Sequence, residues 1–192
     1  THENSSAASD VYKRQDMTFL KNPPLCSILR SKICPSKGGD TMWSSMTAAY
    51  ESLSESMKNF LKNLTAEHDF CHGFKESIAE PGGRERLKDA IKNNPPVIHP
   101  VIRTHPITKR KAIFVNPLFT TKINELSKSE SDALLEFLYS YSITPEFTCR
   151  FSWTPNSIAI WDNRCTLHKP INDYFPEHRL LERITVDGDE PF

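Results

Sequence analysis

The last third of the chain alternates apolar and polar residues in four short segments separated by proline and Asn/Asp turns. These segments are Phe147–Trp153, Ser157–Trp161, Cys165–His168 and Arg179–Val186. Alternation with a period of two is typical of a β-strand that buries one face. Because the helical patterns lie earlier in the chain, we predict an α+β fold. Its architecture would be a double-stranded β-helix (jelly roll) with helical insertions.

Earlier in the chain, strand and helix signals follow one another. The predicted strands are Asp16–Leu20, Leu25–Cys34, Thr41–Trp43, Val97–Arg103 and Ala112–Val115. The predicted helices are Met46–Tyr50, Glu55–Leu64, Gly82–Lys92 and Ser127–Tyr141. Ser54 is a candidate N-cap, and Ser127 with Glu130 has the spacing of a capping box. Gly38-Gly39-Asp40 predicts a turn.

Two arginines in the last segment would point the same way. In a strand, Arg179 and Arg183 lie on one face, roughly 13 Å apart at about 3.3 Å per residue. Two guanidiniums in this arrangement suit two separate anionic groups. A nearby histidine, His168, can bind a metal between them. Together with Asp16, the pattern indicates an iron site that holds two acids.

Composition narrows the classes of partner. The 192 residues carry 24 acidic and 24 basic side chains, so the net charge is zero, and we predict no nucleic-acid partner. Mean hydropathy is −0.51 and no apolar run is long enough for a membrane span, so we predict no membrane partner. The five cysteines are irregularly spaced without a CxxC pair, which favours a reducing compartment and a cytoplasmic location.

Residues 1–15 differ from the rest of the chain, because they show no hydrophobic periodicity. Ser5–Gln15 reads as the translation of a common sequencing-library adapter. We therefore predict that 1–15 is a non-native, disordered segment and that 16–192 is one partial, N-terminally truncated jelly-roll domain. A disordered natural tail is the alternative. Native codons running through this stretch in the source gene would refute the adapter interpretation.

Nearly all of 16–192 resembles the taurine dioxygenase family of iron(II)- and 2-oxoglutarate-dependent oxygenases. The resemblance lies in the stretches DMTFLKNPP, GGDTMW, AAYESLSESMK, LTAEHDF, NPPVIHPVIRTHP, FVNPLFTTKI, PEFTCRFSW, IAIWDNRCTLH and HRLLERITVDGDEPF, in family order. It implies a jelly roll, Fe(2+) as the metal, 2-oxoglutarate as cosubstrate and O2 as a further substrate.

The resemblance also implies the metal ligands. Asp16, followed by Thr18-Phe19, matches the carboxylate of the family's His-x-Asp motif, and His168 matches the distal histidine. Two histidines and one carboxylate leave open positions on non-haem iron. Arg14 stands where the motif has its first histidine and is no iron ligand. Because this departure falls at the adapter boundary, we infer that the native histidine was lost with the upstream sequence.

The family further implies residues for the two anions and the pocket wall. Arg179 and Thr41 match the groups that bind the far carboxylate of 2-oxoglutarate, since a guanidinium meets a carboxylate bidentately. Arg183 matches the arginine that binds the anionic end of the primary substrate. The aromatic lining of the pocket corresponds to Phe19, Phe74 and Phe119. We assign His68, His99 and His105 to packing or hydrogen bonding.

Several functions stay open at this point. The leading one is hydroxylation of an alkyl sulfonate such as taurine, with release of sulfite and an aldehyde. An alkyl sulfate or an aryloxy-carboxylate would also suit Arg183, because each offers oxygens to a guanidinium. On the letters as written, a metal-free pseudoenzyme that only binds its ligand is a further alternative. The oligomeric state is not determined, and a homo-oligomer stays open.

Overall fold

The structure, a computed structural model, describes residues 17–192. The strands in this part are β1 (Cys26–Ile33), β2 (Thr41–Ser45), β3 (Thr65–His68), β4 (Val97–Pro100), β5 (Ile102–Thr104), β6 (Lys111–Ile113), β7 (Thr120–Ile123), β8 (Thr148–Phe151), β9 (Ile158–Asp162), β10 (Thr166–Pro170) and β11 (Leu180–Val186). The helices are α1 (Met46–Ser52), α2 (Glu55–Leu61), α3 (Phe70–Gly73), α4 (Lys75–Ala79), α5 (Gly83–Arg86), α6 (Lys88–Asn93) and α7 (Lys128–Ser142).

Two antiparallel sheets of three strands face each other. One has the order β11-β1-β9 and the other the order β10-β2-β8. Trp161 of the first sheet packs against Trp43 of the second, with ring centroids 5.3 Å apart. Sheets that pack face to face with antiparallel strands of alternating sequence form the two halves of a jelly roll. The jelly-roll prediction is therefore confirmed at the level of architecture.

Strand register determines which side chains point between the sheets. In the first sheet Ser27 lies opposite Trp161, and Leu29 lies opposite Arg183. Paired residues in a sheet point to the same side and residues two apart share a face, so these four side chains lie on the inner face. Isoleucines on the other face of this sheet, Ile160 among them, are exposed. The alternation predicted for Arg179–Val186 is thus present in β11.

A second, smaller layer is built from the sheet β4-β3-β7, the hairpin β5-β6 and the longer helices. Its core consists of fully buried side chains, among them Leu61, Ala66, Val101, Ile113, Ile123 and Leu138. Burial of each large aliphatic side chain stabilises the fold by about 1.5–3 kcal/mol. The Ile123 N–H also donates to the buried Ser131 Oγ at 2.8 Å, which fixes α7 on β7.

Local capping signals are confirmed. The Met57 N–H donates to Ser54 Oγ at 3.2 Å at the start of α2. At the start of α7 the Ser127 N–H donates to the Glu130 carboxylate at 2.9 Å, as the predicted capping box requires. These contacts satisfy N–H groups that have no partner within a helix.

Three element predictions are wrong in part. The described portion of the predicted strand Asp16–Leu20 consists of turns, in which the Leu20 N–H donates to the Met17 carbonyl at 3.0 Å. The predicted helix Gly82–Lys92 is two short helices, α5 and α6, which meet at Leu87. The predicted strand Val97–Arg103 is divided into β4, which pairs with β3, and β5, which pairs with β6 in a different sheet.

Within residues 17–192, no helix combines the length and the apolar character that crossing a lipid bilayer requires.

Candidate functional site

The inner faces of the two sheets meet around His168. This residue lies on β10 opposite Trp43 of β2, and its imidazole is buried. The Trp161 indole, which comes from β9 in the other sheet, lies against the imidazole at a centroid distance of 4.9 Å. The predicted metal ligand is therefore placed between the sheets, where an apolar ring limits its rotation and shields it from water.

Thr41 and Arg179 meet beside His168, as the resemblance to the family implied. The Arg179 Nη2 donates to Thr41 Oγ1 at 3.3 Å, and Trp153 Nε1 donates to the same oxygen at 2.9 Å. Thr41 lies opposite Pro170, two residues from His168 on the neighbouring strand. Such diagonal positions share a face and lie about 7–8 Å apart. The Thr41 hydroxyl that Arg179 contacts therefore lies on the same face as His168, on the neighbouring strand.

The glycine turn before β2 makes room for Arg179. Gly39 has φ +70°, a left-handed conformation that glycine adopts without steric cost. A Cβ at this position would lie 2.9 Å from Arg179 Cδ and 2.9 Å from Pro35 Cγ. The Gly39 N–H donates to Asp173 Oδ1 at 2.8 Å, which fixes the turn. The turn predicted from the sequence therefore also determines where the Arg179 side chain passes.

Arg183 is oriented by two residues for which the sequence predicted no role in the site. Its Nη2 donates to Ser27 Oγ at 3.0 Å, and Asn163 Nδ2 donates to the same hydroxyl at 3.0 Å. Ser27 and Asn163 are both buried. An asparagine between strands is typical of a turn, and a serine in a strand offers no signal by itself. Only the register of β1 between β9 and β11 places the hydroxyl within reach of Arg183.

The three predicted aromatic residues lie together in one buried cluster. The Phe19 ring lies 4.8 Å from that of Phe119 and 6.2 Å from that of Phe74, in edge-to-face geometry. Phe70, which was not predicted, joins them at 5.1 Å from Phe19. Edge-to-face pairs at such distances are favourable. The cluster forms because Gly73 has no Cβ, which would lie 2.3 Å from Phe119 Cε1.

Asp16, the predicted carboxylate ligand, lies outside the described residues, as does Arg14. The convergence of Asp16 and His168 on one ion therefore stays a prediction. The described chain begins at Met17, and Thr18, two residues after Asp16, is buried. Two of the three histidines assigned to packing or hydrogen bonding, His68 and His99, contact Thr18 directly, and so are used as predicted.

A second cluster of potential metal ligands has a complete set of hydrogen bonds instead. Among the described residues, His105, Asp162 and Cys165 place one ligand atom each within 4.8 Å of one another. His105 Nδ1 accepts the N–H groups of Ile107 and Thr108, so the proton is on Nε2, which donates to Asp162 at 2.9 Å. This use of both ring nitrogens leaves no lone pair for a metal.

The electrostatics of this cluster agree with a structural role. Burial by itself raises the pKa of Asp162, but hydrogen bonds from Arg164 and His105 lower it to about 2. Arg164 binds both carboxylate oxygens, with distances of 2.9 and 2.7 Å. Burial and the Asp162 charge raise the pKa of the Cys165 thiol, which disfavours the thiolate that a metal requires. The network joins β9 to the loop after β5.

Comparison with known proteins identifies the family of the chain. The model of the taurine catabolism dioxygenase TauD, TfdA family matches residues 1–185. The chain therefore belongs to the TauD, TfdA family, and the resemblance inferred from its motifs is confirmed. The matched range includes 1–15, so the interpretation of that segment as an adapter stays a prediction.

Individual relatives give the extent of the match. A putative alpha-ketoglutarate-dependent sulfonate dioxygenase of Schizosaccharomyces pombe is 37% identical over 94% of the chain and 45% of its own length. An alkylsulfatase of Acinetobacter baylyi is 37% identical over 91% of the chain and 56% of its own length. The chain thus spans about half the length of the curated relatives it matches.

A solved structure supports the fold. The crystal structure of a taurine dioxygenase from Burkholderia xenovorans is 37% identical, with a TM-score of 0.78 over 93% of this chain and 57% of that one. At this identity and TM-score, the chain shares its fold with the part of that structure that it covers.

Proposed function

We propose that this chain is part of an iron(II)- and 2-oxoglutarate-dependent dioxygenase that acts on a small anionic organic substrate, first of all an alkyl sulfonate such as taurine. The observation that carries the proposal is the pair of guanidiniums at the inner face. Arg179 donates to Thr41, which is diagonal to His168 on the neighbouring strand. Arg183 donates to Ser27, which lies opposite Trp161, and the Trp161 indole packs against the buried imidazole of His168. Two guanidiniums near an imidazole that can bind a metal suit a dicarboxylate and a second anion.

His168 and Asp16 would hold the metal, and a native histidine two residues before Asp16 would complete the set. The donor chemistry fits a divalent iron, since imidazole and carboxylate are ligands that non-haem iron takes in a two-histidine, one-carboxylate arrangement. When bound, iron(II) supplies the activation of O2 that is coupled to decarboxylation of 2-oxoglutarate. The chain's own contribution is to position the two organic substrates and to exclude water.

Arg179 would bind the far carboxylate of 2-oxoglutarate. Thr41 adds a hydroxyl at the same point, and Trp153 orients that hydroxyl through its indole N–H. Because Gly39 leaves space for the Arg179 side chain, the guanidinium reaches the inner face without displacing the turn. A cosubstrate of this length would then extend from Arg179 to the metal at His168.

Arg183 would bind the anionic end of the primary substrate, and Ser27 with Asn163 would hold its guanidinium in place. Hydroxylation of the carbon that bears a sulfonate yields an aldehyde and sulfite. A guanidinium also accepts a sulfate ester or a carboxylate. The alkylsulfatase relative supports an alkyl sulfate as the second candidate substrate, and an aryloxy-carboxylate is the third. Phe19, Phe74 and Phe119 would form the apolar wall of the pocket.

The strand order supports a domain that extends upstream of Asp16. A double-sheet jelly roll has about eight strands, and the described residues supply three to each sheet. Within residues 17–192, the outer strands of these two sheets (β11 and β9, β10 and β8) each pair within the sheet with the central strand alone, so further strands can be added at the edges. Native strands before Asp16 would complete both sheets, with 1–15 as a non-native segment and 16–192 as the partial domain.

Arg14, in the position of the first histidine ligand, favours a second candidate function. A chain with arginine there in its natural sequence would bind anions through Arg179 and Arg183 without metal chemistry. The natural residues upstream of Asp16 separate the two candidates: a His-x-Asp motif supports the enzyme, and any residue that cannot ligate iron supports a binding protein.

The test uses the complete protein with its native upstream residues. Succinate formation is measured with iron(II), 2-oxoglutarate and, in parallel, taurine, an alkyl sulfate and an aryloxyacetate. We expect turnover with taurine and sulfite release in equal amount. Arg183→Met should abolish turnover, whereas Arg110→Met, which removes an exposed arginine paired with Glu51, should leave it unchanged. No turnover with any of the three substrates would contradict the proposed function.

A further inference from the structure

Three buried polar side chains from separate parts of the chain converge on Thr18. Asn116 Nδ2 donates to Thr18 Oγ1 at 2.8 Å, and His68 Nδ1 lies 2.9 Å from the same oxygen. His99 Nε2 lies 3.0 Å from the Thr18 carbonyl and 3.0 Å from the Leu20 carbonyl. We call Thr18, His68, His99 and Asn116 the Thr18 clamp.

The donors and acceptors of the clamp are determined by their partners. The two carbonyls can only accept, so His99 carries its proton on Nε2 and donates to both. The amide of Asn116 donates to Thr18 Oγ1. The Thr18 hydroxyl can therefore still donate its own proton to a second acceptor. All four residues are at most 4% exposed. Burial lowers the pKa of both histidines, that of His68 to about 3, so the clamp is uncharged near neutral pH.

Hydrogen bonds from the clamp side chains, rather than pairing with a strand, fix the backbone of Met17–Leu20. Met17 to Leu20 forms a turn, and Met17 has φ 49°, a conformation that non-glycine residues rarely adopt. In the described part of the segment, side-chain bonds from β3, β4 and the loop after β6 take the place of a strand ladder. An apolar environment alone would not determine the position of this backbone, because hydrophobic contact has no direction.

The same network joins Thr18 to the aromatic cluster. Asn116 Oδ1 accepts the N–H of Phe119 at 2.9 Å, while its amide donates to Thr18. The neighbouring side chains, Phe19 and Phe119, then pack with ring centroids 4.8 Å apart. One asparagine thus connects the segment after Asp16 with the loop that carries Phe119.

We propose that the Thr18 clamp is a positioning device: it fixes the backbone two residues after the predicted ligand Asp16 and thereby raises the affinity of the site for its metal. The inference rests on the proposed function and adds four positioning residues to it. When the backbone next to a metal ligand is already fixed, less conformational freedom is lost on metal binding. Hydrogen bonds that support metal ligands generally act in this way.

The test measures metal affinity rather than turnover. Mn(II) is titrated into the complete protein in the presence of 2-oxoglutarate, and free Mn(II) is followed by electron paramagnetic resonance. Thr18→Val keeps the side-chain shape and removes the hydroxyl, and we expect the Kd for Mn(II) to rise about 10- to 100-fold. Thr18→Ser restores the hydroxyl and should restore affinity.

Ser131→Ala is the matched control, because it removes a buried hydrogen bond on α7 that has no connection to the clamp. It should lower Tm and leave the Kd for Mn(II) unchanged. Equal Kd values for Thr18→Val and the wild type would overturn this inference but not the proposed function. Absence of Mn(II) binding by the wild type would overturn the proposed function, and the inference with it. Should Thr18→Val not fold, His68→Leu, which removes a single bond of the clamp, takes its place with the same expected direction, and unchanged affinity there has the same consequence.

Discussion

The indole of Trp161 on β9 packs against the imidazole of His168 on β10 with ring centroids 4.9 Å apart, and thereby joins the two sheets of the jelly roll at the candidate metal ligand. The same indole lies 5.3 Å from the Trp43 ring. One aromatic side chain therefore contributes both to the packing between the sheets and to the orientation of His168.

Replacing Trp161 should lower stability strongly. Trp161 is buried between the sheets, so Trp161→Ala leaves a cavity and is expected to reduce the free energy of unfolding by about 3–5 kcal/mol. Trp161→Phe should cost less, because it retains part of the contact. Urea denaturation measures both. Phe175→Ala, at a side chain that is 94% exposed, is the control and should change stability by no more than about 0.5 kcal/mol. A Trp161→Ala variant as stable as that control would show that the interface between the sheets does not depend on the indole.

Replacing Arg179 by lysine and replacing Arg183 by lysine should each weaken the binding of a different substrate. Lysine keeps the charge but loses the planar fork, so one charge-assisted hydrogen bond is lost or weakened. In the complete protein, Arg179→Lys should raise KM for 2-oxoglutarate about tenfold to a hundredfold and leave KM for the primary substrate nearly unchanged. Arg183→Lys should show the reverse. Steady-state kinetics with each substrate varied in turn provides the measurement, and equal effects on both substrates in both variants would argue against separate sites.

Stability should fall as the pH drops below the pKa of free histidine. Burial, and next the nearby His99, lower the pKa of His68 from 6.5 to about 3 in the folded chain. Between these values the unfolded chain binds a proton at this residue that the folded chain does not, so acid favours unfolding. The loss is at most about 1.4 kcal/mol per pH unit from this group.

Urea denaturation at several pH values between 7 and about 4 tests this dependence. His68→Asn, which keeps a polar group near the position of Nδ1, should flatten the slope of stability against pH. The slope would not vanish, since burial lowers the pKa of His99 in the same direction. Ser131→Ala should lower stability equally at every pH. If His68→Asn retained the wild-type slope, the pKa of His68 in the folded chain would have to be near its ordinary value.

Gly73 and Phe119 should show energetic coupling. A Cβ on Gly73 would lie 2.3 Å from Phe119 Cε1, so Gly73→Ala overpacks the aromatic cluster and should cost about 1–3 kcal/mol. Phe119→Leu frees the space that the Cβ needs. In a double-mutant cycle, Gly73→Ala should therefore cost less in the Phe119→Leu background than in the wild type. Additive effects in thermal or urea unfolding would mean that the loop relaxes away from the added methyl group.

Elements whose structure depends on near neighbours could be predicted from the amino-acid sequence. The capping residues of α2 and α7, the strand β1 and the alternation of β9 and β11 were predicted correctly, because a cap or a buried strand face involves residues a few positions apart. The family motifs selected His168, Thr41, Arg179 and Arg183, and the register places Thr41 beside His168 on one face. The roles assigned to these residues stay predictions.

The support that distant segments give one another depends on the tertiary structure. Apolar and hydroxyl residues at Asp16–Leu20 indicate a strand, yet Met17–Leu20 turns because His68, His99 and Asn116 bind Thr18 from positions remote in the chain. Ser27 lies within reach of Arg183 only through the pairing of β1 with β9 and β11. Periodicity reports which side of an element is buried; it carries no information about which buried polar groups will face each other, since that depends on strand order and register.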